Sequence, residues 1–306
     1  MPRTGQKTGG GNRAYSRALV GMASPKVTVE THLPGGLPGF TLVGMPETAV
    51  REARDRVKSA IQNCGLAFPG GRVVVNLAPA ELAKEGARFD LAIAISVLCA
   101  TGQVPHAEVA RYEFLGELGL FGELRATRGC LCAALGITEE AGQPGAADPP
   151  LALIIPQANA HECALDPAER LIPAAHLMDV VRFLRAPRQV TLRATASGAS
   201  PQKRSPRSTA TPLAVGGLNE VHGQEAAKRA LTIAAAGGHH LLFVGPPGTG
   251  KTMLAQRIQH LLPPLDHTGL LEVAAIYSAA AMTPPPLGRP PFRDPHHSSS
   301  APALVG

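Results

Sequence analysis

The 306-residue sequence contains no tryptophan and few other aromatic residues, with three tyrosines and eight phenylalanines. Proteins that grip single-stranded nucleic acid stack bases on such side chains, so a surface of that kind is not indicated. No apolar run reaches the length of about 18 residues that a membrane-spanning helix needs. The basic, glycine-rich N-terminus lacks the apolar stretch of a signal peptide. We therefore expect a cytoplasmic protein with no membrane partner.

Cysteine is also scarce, and the five residues present form no paired framework: Cys64, Cys99, Cys130, Cys132 and Cys163. The Cys130-x-Cys132 pair could supply half of a metal site, but no second ligand pair lies near it in the sequence. We expect these thiols to be small buried side chains in a reducing compartment.

The length allows about two domains. Between residues 187 and 212 the composition changes to Ser, Thr, Ala, Pro and basic residues, without a pattern that could build a core. We interpret this stretch as a flexible basic linker between a first domain, residues 1–186, and a second domain, residues 213–306. Residues 1–14 are predicted to form a loose tail. The net charge of +6 permits contact with nucleic acid but does not establish it.

The first domain alternates between strand and helix patterns, which indicates an α/β or α+β fold. The predicted strands cover residues 27–30, 40–43, 72–77, 113–118 and 151–155. The predicted helices cover residues 46–64, 90–100 and 129–141.

The second domain contains a phosphate-binding pattern, G-x-x-x-x-G-K-[ST]. It consists of Gly245, Pro246, Pro247, Gly248, Thr249, Gly250, Lys251 and Thr252. The apolar residues 241–244 before it predict a buried parallel strand, and residues 253–262 after it have helical spacing. Helices are also predicted over residues 225–236 and 270–281. The pattern therefore stands where a strand passes into a helix, as in proteins that bind nucleotides.

The residue types of this loop fit ATP and Mg²⁺. Gly248 and Gly250 allow backbone conformations in which successive N–H groups turn toward an anion. Lys251 is expected to reach the β- and γ-phosphates, and the Thr252 hydroxyl to bind Mg²⁺. We therefore predict ATP and Mg²⁺ as cofactors, with Thr252 as the metal ligand.

Longer segments point to a family. In the second domain these are HGQEAAKRAL at 222–231, AAAGGHH at 234–240, LLPP at 261–264, RDPHH at 293–297 and ALVG at 303–306. In the first domain they are residues 36–38, 43–46, 75–80, 84–86, 89–91 and 116–118. Together they resemble the ComM/YifB family of bacterial AAA+ ATPases, which is related to the ATPase subunit of magnesium chelatase.

This resemblance implies a Lon-protease-like (ribosomal S5 domain 2-like) α+β domain followed by part of a P-loop AAA+ α/β domain. It further implies a homohexameric, ATP-driven motor that moves branched DNA during natural transformation, with adenine-side contacts near Val221, Gly223 and Gln224. A magnesium-chelatase-type ATPase subunit and a non-catalytic interaction module are the alternatives. The Lon-like domain favours the DNA motor, since chelatase ATPase subunits typically lack it.

Two departures from the family pattern modify these expectations. Lon-type peptidases use a Ser–Lys pair, whereas the aligned positions here hold Arg88 and a residue near Leu131. We therefore expect no peptidase activity. The apolar strand ending in Asp-Glu that supports ATP hydrolysis does not occur before Gly306. We expect this chain to bind ATP without hydrolysing it, to be largely monomeric, and to be either a fragment of a longer motor or a degraded copy.

Overall fold

A computed structural model of the chain describes residues 12–44, 47–84, 86–141, 152–163, 165, 170–187, 216–283, 285, 288–296 and 298–300. The chain divides into two compact units. The first comprises Met1–Ser200 together with Ala274–Met282, and the second comprises Pro201–Val273 together with Thr283–Gly306. No helix among the described residues is both long enough and apolar enough to cross a membrane.

The first unit is built on a mixed, mostly parallel sheet of seven strands in the order β3-β4-β2-β1-β5-β8-β9. Its strands are β1 (Arg13–Arg17), β2 (Lys26–His32), β3 (Gly39–Val43), β4 (Arg72–Ala78), β5 (Tyr112–Phe114), β8 (Ala152–Pro156) and β9 (Leu171–Ala174). Strand β2 pairs antiparallel with β1 and β4, and the other four pairs are parallel. Strands β6 (Glu117–Leu118) and β7 (Leu124–Arg125) form a separate antiparallel pair.

Helices follow the strands because parallel strands need crossover connections. Those of the first unit are α1 (Glu47–Asn63), α2 (Asp90–Ala100), α3 (His106–Val109), α4 (Cys130–Ala141), α5 (Ala160–Cys163) and α6 (Leu177–Arg185). Helix α2 is apolar around its circumference, and its residues from Asp90 to Cys99 are all buried. A helix with no polar face can only be stable inside a core, and α2 lies at the centre of the main one.

The sheet is covered on both faces, as strand β8 demonstrates. All five of its residues are buried. Ala152 and Ile154 belong to the main core, whereas Leu153 and Ile155 belong to a second cluster with α4 and α5. Successive side chains of a strand point to opposite faces, so α4 and α5 lie on the face opposite α2.

The second unit contains α7 (Glu225–Gly237), α8 (Lys251–Gln256) and the first part of α9 (His267–Ala279). Helix α7 packs against α8, and Val221, Leu231 and Leu254 are among the buried apolar side chains of this unit. Arg257, in the 3₁₀ turn after α8, donates to the carbonyl oxygens of Gly217 and Met253 at 3.3 and 2.9 Å. The last part of α9 belongs to the first unit, where Ala274 joins the cluster around α4.

Most predicted elements are confirmed, with displaced ends. The predicted strand 113–118 is interrupted after Phe114, and β6 begins at Glu117. Arg13 and Ala14 lie in β1, so the predicted tail 1–14 is too long by at least these residues, while residues 1–11 lie outside the described part. The predicted linker 187–212 also lies outside it except for Pro187. The domain boundaries and the Lon-like relation stay predictions.

The strand predicted at residues 241–244 is wrong. The backbone there is irregular, and the side chains of Leu242 and Val244 are 84% and 86% exposed. A parallel strand is stabilised by hydrogen bonds to neighbouring strands. No strand occurs among the described residues from 216 onward, so this segment has no partner there to pair with.

Candidate nucleotide-binding site

The phosphate loop adopts the backbone that its glycines were expected to provide. Gly248 and Gly250 have φ angles of 78° and 81°, in the left-handed region. A Cβ atom at Gly248 would meet nothing within 4 Å, so glycine is favoured there by backbone conformation and not by lack of space. Gly250 is the residue at which the chain enters α8. The loop therefore ends at the N-terminus of a helix, whose unpaired N–H groups favour anions.

Lys251 is folded over this loop. Its Nζ donates to the carbonyl oxygens of Gly245 at 2.9 Å and Pro246 at 2.8 Å, and lies 3.4 Å from Thr249 Oγ1. The Thr249 hydroxyl donates to the same Pro246 oxygen at 3.0 Å. The ammonium group is thus held by neutral carbonyl groups in the middle of the loop, where a phosphate oxygen would be a stronger acceptor. Thr252 is exposed at the second position of α8.

Gln224 joins the site from a distant part of the sequence. It has a left-handed backbone with φ of 59°, which is unusual for a residue other than glycine, and it stands at the start of α7. Its Nε2 donates to the carbonyl oxygen of Thr249 at 3.1 Å. Residues 221–224 were linked to the adenine side only by resemblance, and this hydrogen bond was not predicted. No spacing rule relates the two residues, because the contact depends on the packing of α7 against α8.

Arg88 and Leu131, at and near which the resemblance would place a peptidase Ser–Lys pair, are buried in the first unit. Arg88 is 4% exposed in the 3₁₀ turn Ala87–Phe89, and Leu131 in α4 is fully buried. Burial lowers the pKa of Arg88 to about 10, and the neighbouring Cys130 and Cys132 oppose that shift. The structure therefore brings Arg88 close to the residues that flank Leu131. Neither side chain is a nucleophile or a base suited to peptide hydrolysis.

The cysteines are partly as expected. Cys99, Cys130, Cys132 and Cys163 are buried thiols, as predicted, whereas the prediction is wrong for Cys64, which is only partly buried. No second ligand pair lies near Cys130 in the sequence, but in space Glu162 and Cys163 lie beside it. Cys130 is about thirty residues from Glu162 and Cys163 in the sequence, so their spacing gave no sign of this grouping.

Comparison with known protein families gave a related match in each half of the chain. The family model described as "Subunit ChlI of Mg-chelatase" matches residues 29–146, and the model "Magnesium chelatase, subunit ChlI" matches residues 217–306. Neither match extends over the predicted linker.

Similar proteins occur in several bacteria. Competence protein ComM of Haemophilus influenzae is 44% identical over 294 residues, which are 95% of this chain and 55% of that protein. YifB of Escherichia coli is 43% identical over 95% of this chain and 54% of its own length. Rv2897c of Mycobacterium tuberculosis is 39% identical over 96% of this chain and 55% of its own length. The chain thus spans about half the length of these relatives, and it belongs to the ComM/YifB family of magnesium-chelatase-like proteins.

Proposed function

We propose that the loop from Gly245 to Thr252 binds the phosphates of ATP together with Mg²⁺. The observation that carries this proposal is the combination of left-handed Gly248 and Gly250 with the ammonium group of Lys251 held inside the loop. The donor set fits: backbone N–H groups and one cation suit phosphate oxygens. The Thr252 hydroxyl is a hard oxygen ligand of the type that Mg²⁺ prefers.

Nucleotide binding requires Lys251 to exchange its partners. Its hydrogen bonds to the carbonyl oxygens of Gly245 and Pro246 give way to charge-assisted bonds with phosphate oxygens, which are about twice as strong as neutral ones. Gln224 positions the loop through Thr249, so it links the start of α7 to the phosphate site. Bound Mg²⁺ would neutralise phosphate charge.

The test is a titration of Lys251→Ala with a fluorescent ATP analogue. Loss of a charge-assisted contact costs about 1.5–3 kcal/mol, so affinity should fall at least about tenfold. Lys58→Ala is the matched control. Lys58 is an exposed lysine on α1 in the first unit, so its removal should leave the affinity for the ATP analogue unchanged. Circular dichroism confirms that each variant is folded. Equal affinity in both variants would show that the nucleotide binds elsewhere.

We also propose that the chain acts in a homohexameric, ATP-driven motor that moves branched DNA during natural transformation. The family supports this role, and so does its 44% identical relative, a competence protein. The net charge of +6 is compatible with a DNA partner. In a ring each subunit contributes little to DNA affinity, and the assembly multiplies it.

A second candidate is an ATPase subunit for magnesium insertion into a porphyrin, and the descriptions of both matching family models favour it. The two functions separate when branched-DNA binding and porphyrin metallation are measured in one preparation.

For the DNA role, we expect this chain to bind a branched duplex at low ionic strength and to lose most binding at physiological salt, because counterions are released. Binding to the branched duplex should weaken further when Lys203, Arg204 and Arg207 of the predicted linker are changed to alanine. If the preparation supports metal insertion into a porphyrin but does not bind DNA, the magnesium-chelatase-type function is the correct one.

A further inference from the structure

Three potential metal ligands meet in the first unit, away from the phosphate loop. The Sγ atoms of Cys130 and Cys163 and a carboxylate oxygen of Glu162 all lie within 4.8 Å of one another. Both cysteines are fully buried, and Glu162 is half-buried. Cys130 is the first residue of α4, and the other two residues belong to α5. The packing of these helices on one face of the sheet creates the cluster.

The carboxylate of this cluster is fixed by a second layer of hydrogen bonds. Asn159 Nδ2 donates to Glu162 Oε1 at 2.6 Å. The same amide group donates to Thr127 O at 3.0 Å and accepts from Thr127 N at 2.9 Å, so its orientation is determined on both sides. Metal-binding carboxylates are typically oriented by such outer partners. Glu162 is thus held in place before any ligand binds.

Part of the positively charged side chain of Arg88, beside the cluster, has no hydrogen-bond partner in the described part of the chain. Arg88 is 96% buried, and its Nε and Nη2 have no hydrogen-bond partner among the described residues. The guanidinium group lies close to Cys130 and Cys132 of α4. A buried guanidinium group without a counter-charge is strongly unfavourable. Neutral thiols do not provide that charge, whereas thiolates bound to a metal do.

We propose that Cys130, Glu162 and Cys163 bind Zn²⁺. Two thiolates, one carboxylate and one dication leave a single net negative charge, which the guanidinium group of Arg88 balances. The soft sulfur ligands favour zinc over Mg²⁺ or Ca²⁺, which prefer oxygen. Cys132 is engaged elsewhere, because its thiol donates to Ala275 O at 3.4 Å. The site therefore has three protein ligands and a fourth position for water or another ligand.

Cobalt is the spectroscopic probe for this site. The full chain is purified under reducing conditions, stripped with a chelator and titrated with Co²⁺, and then Zn²⁺ is added. We expect one equivalent of Co²⁺ to give a thiolate-to-metal charge-transfer band, which Zn²⁺ then displaces. The variants Cys130→Ser and Cys163→Ser should lose this band. Cys64→Ser is the matched control and should keep it, because Cys64 lies outside the cluster.

Two gentler variants keep the test valid if the cysteine variants fail to fold. Glu162→Gln retains the oxygen that accepts from Asn159 but removes the anionic ligand, and Arg88→Met removes the balancing charge. Each should weaken Zn²⁺ binding about tenfold to a hundredfold, measured by competition with a chromophoric chelator. Absence of the thiolate band in the unaltered chain would overturn the proposal. So would a band that survives in a folded Cys163→Ser variant, or a Cys130–Cys163 disulfide whose reduction restores no metal uptake.

Discussion

Replacing Arg17 by methionine should cost more stability than a typical core substitution, because it breaks a closed network of charges. All five N–H groups of the guanidinium donate. They reach both carboxylate oxygens of Glu113 at 2.6 and 3.2 Å, both of Glu140 at 2.6 and 2.9 Å, and the carbonyl oxygen of Ser24 at 2.9 Å. The side chains of Arg17 and Glu113 are 1% and 0% exposed. The network connects β1, β5 and the end of α4.

The size of the effect follows from what the substitution leaves behind. Glu113 stays buried, and Lys26, at 3.6 Å, is the one cationic partner that remains for it within the described part of the chain. Removing one member of a buried ion pair costs about 3–5 kcal/mol, because the other charge is left uncompensated. Glu140 contributes less to the loss, since its side chain is 41% exposed and can turn to water.

The assay is urea unfolding followed by far-ultraviolet circular dichroism, because the chain has no tryptophan. Arg17→Met should lower the free energy of unfolding of the first unit by about 3–5 kcal/mol. Glu140→Gln, the control, should cost less than about 1 kcal/mol. Combining Arg17→Met with Glu113→Leu should recover most of the loss, since no buried charge then remains unpaired. A single variant that costs under about 1 kcal/mol, or a double variant no better than the single one, would refute this reasoning.

Two further predictions concern the same unit. Alanine is favoured over glycine in a helix by about 1 kcal/mol, yet Gly136→Ala should destabilise the protein in the same urea assay. The added Cβ would lie 2.8 Å from Arg17 Nη1, which its hydrogen bonds prevent from moving; a gain in stability would contradict this. Burial raises the pKa of Asp90 from 3.8 to about 6 despite its hydrogen bond to Arg56, so the folded state holds a proton that the unfolded state has released. Stability should therefore fall by up to about 3 kcal/mol as the pH rises from about 4 through 6. Asp90→Asn should flatten that slope in unfolding curves measured across this range, and an unchanged slope would mean that another group is responsible.

Features determined by a few neighbouring residues could be predicted from the sequence. Gly248 and Gly250 have the left-handed backbone that their motif requires, and the entry into α8 follows directly. The position of helix α2 in the core could also be predicted, because a helix that is apolar on all sides is stable only when it is buried.

Features that depend on distant partners could not be predicted. Residues 241–244 are as apolar as a buried strand, but pairing decides whether a strand forms, and composition does not. Strand β1 shows the reverse case. Its sequence, RAYSR, has little strand character, yet it lies between β2 and β5 in the sheet. The hydrogen bond from Gln224 to Thr249 likewise required knowledge of how two helices pack.

Arg88 lies beside the proposed zinc site, at the position where the resemblance to Lon-type peptidases would place a serine. A serine at this position would be small and neutral, whereas arginine introduces a charge into a site where 96% of its surface is removed from water. Such a charge is tolerated when an anion compensates it. The thiols of Cys130 and Cys132 are titratable neighbours of Arg88. A thiol becomes a stable anion in a buried place when a metal ion replaces its proton. The buried charge of Arg88 thus favours a metal site beside it, and this is why the zinc affinity should depend on Arg88 although Arg88 is not a ligand.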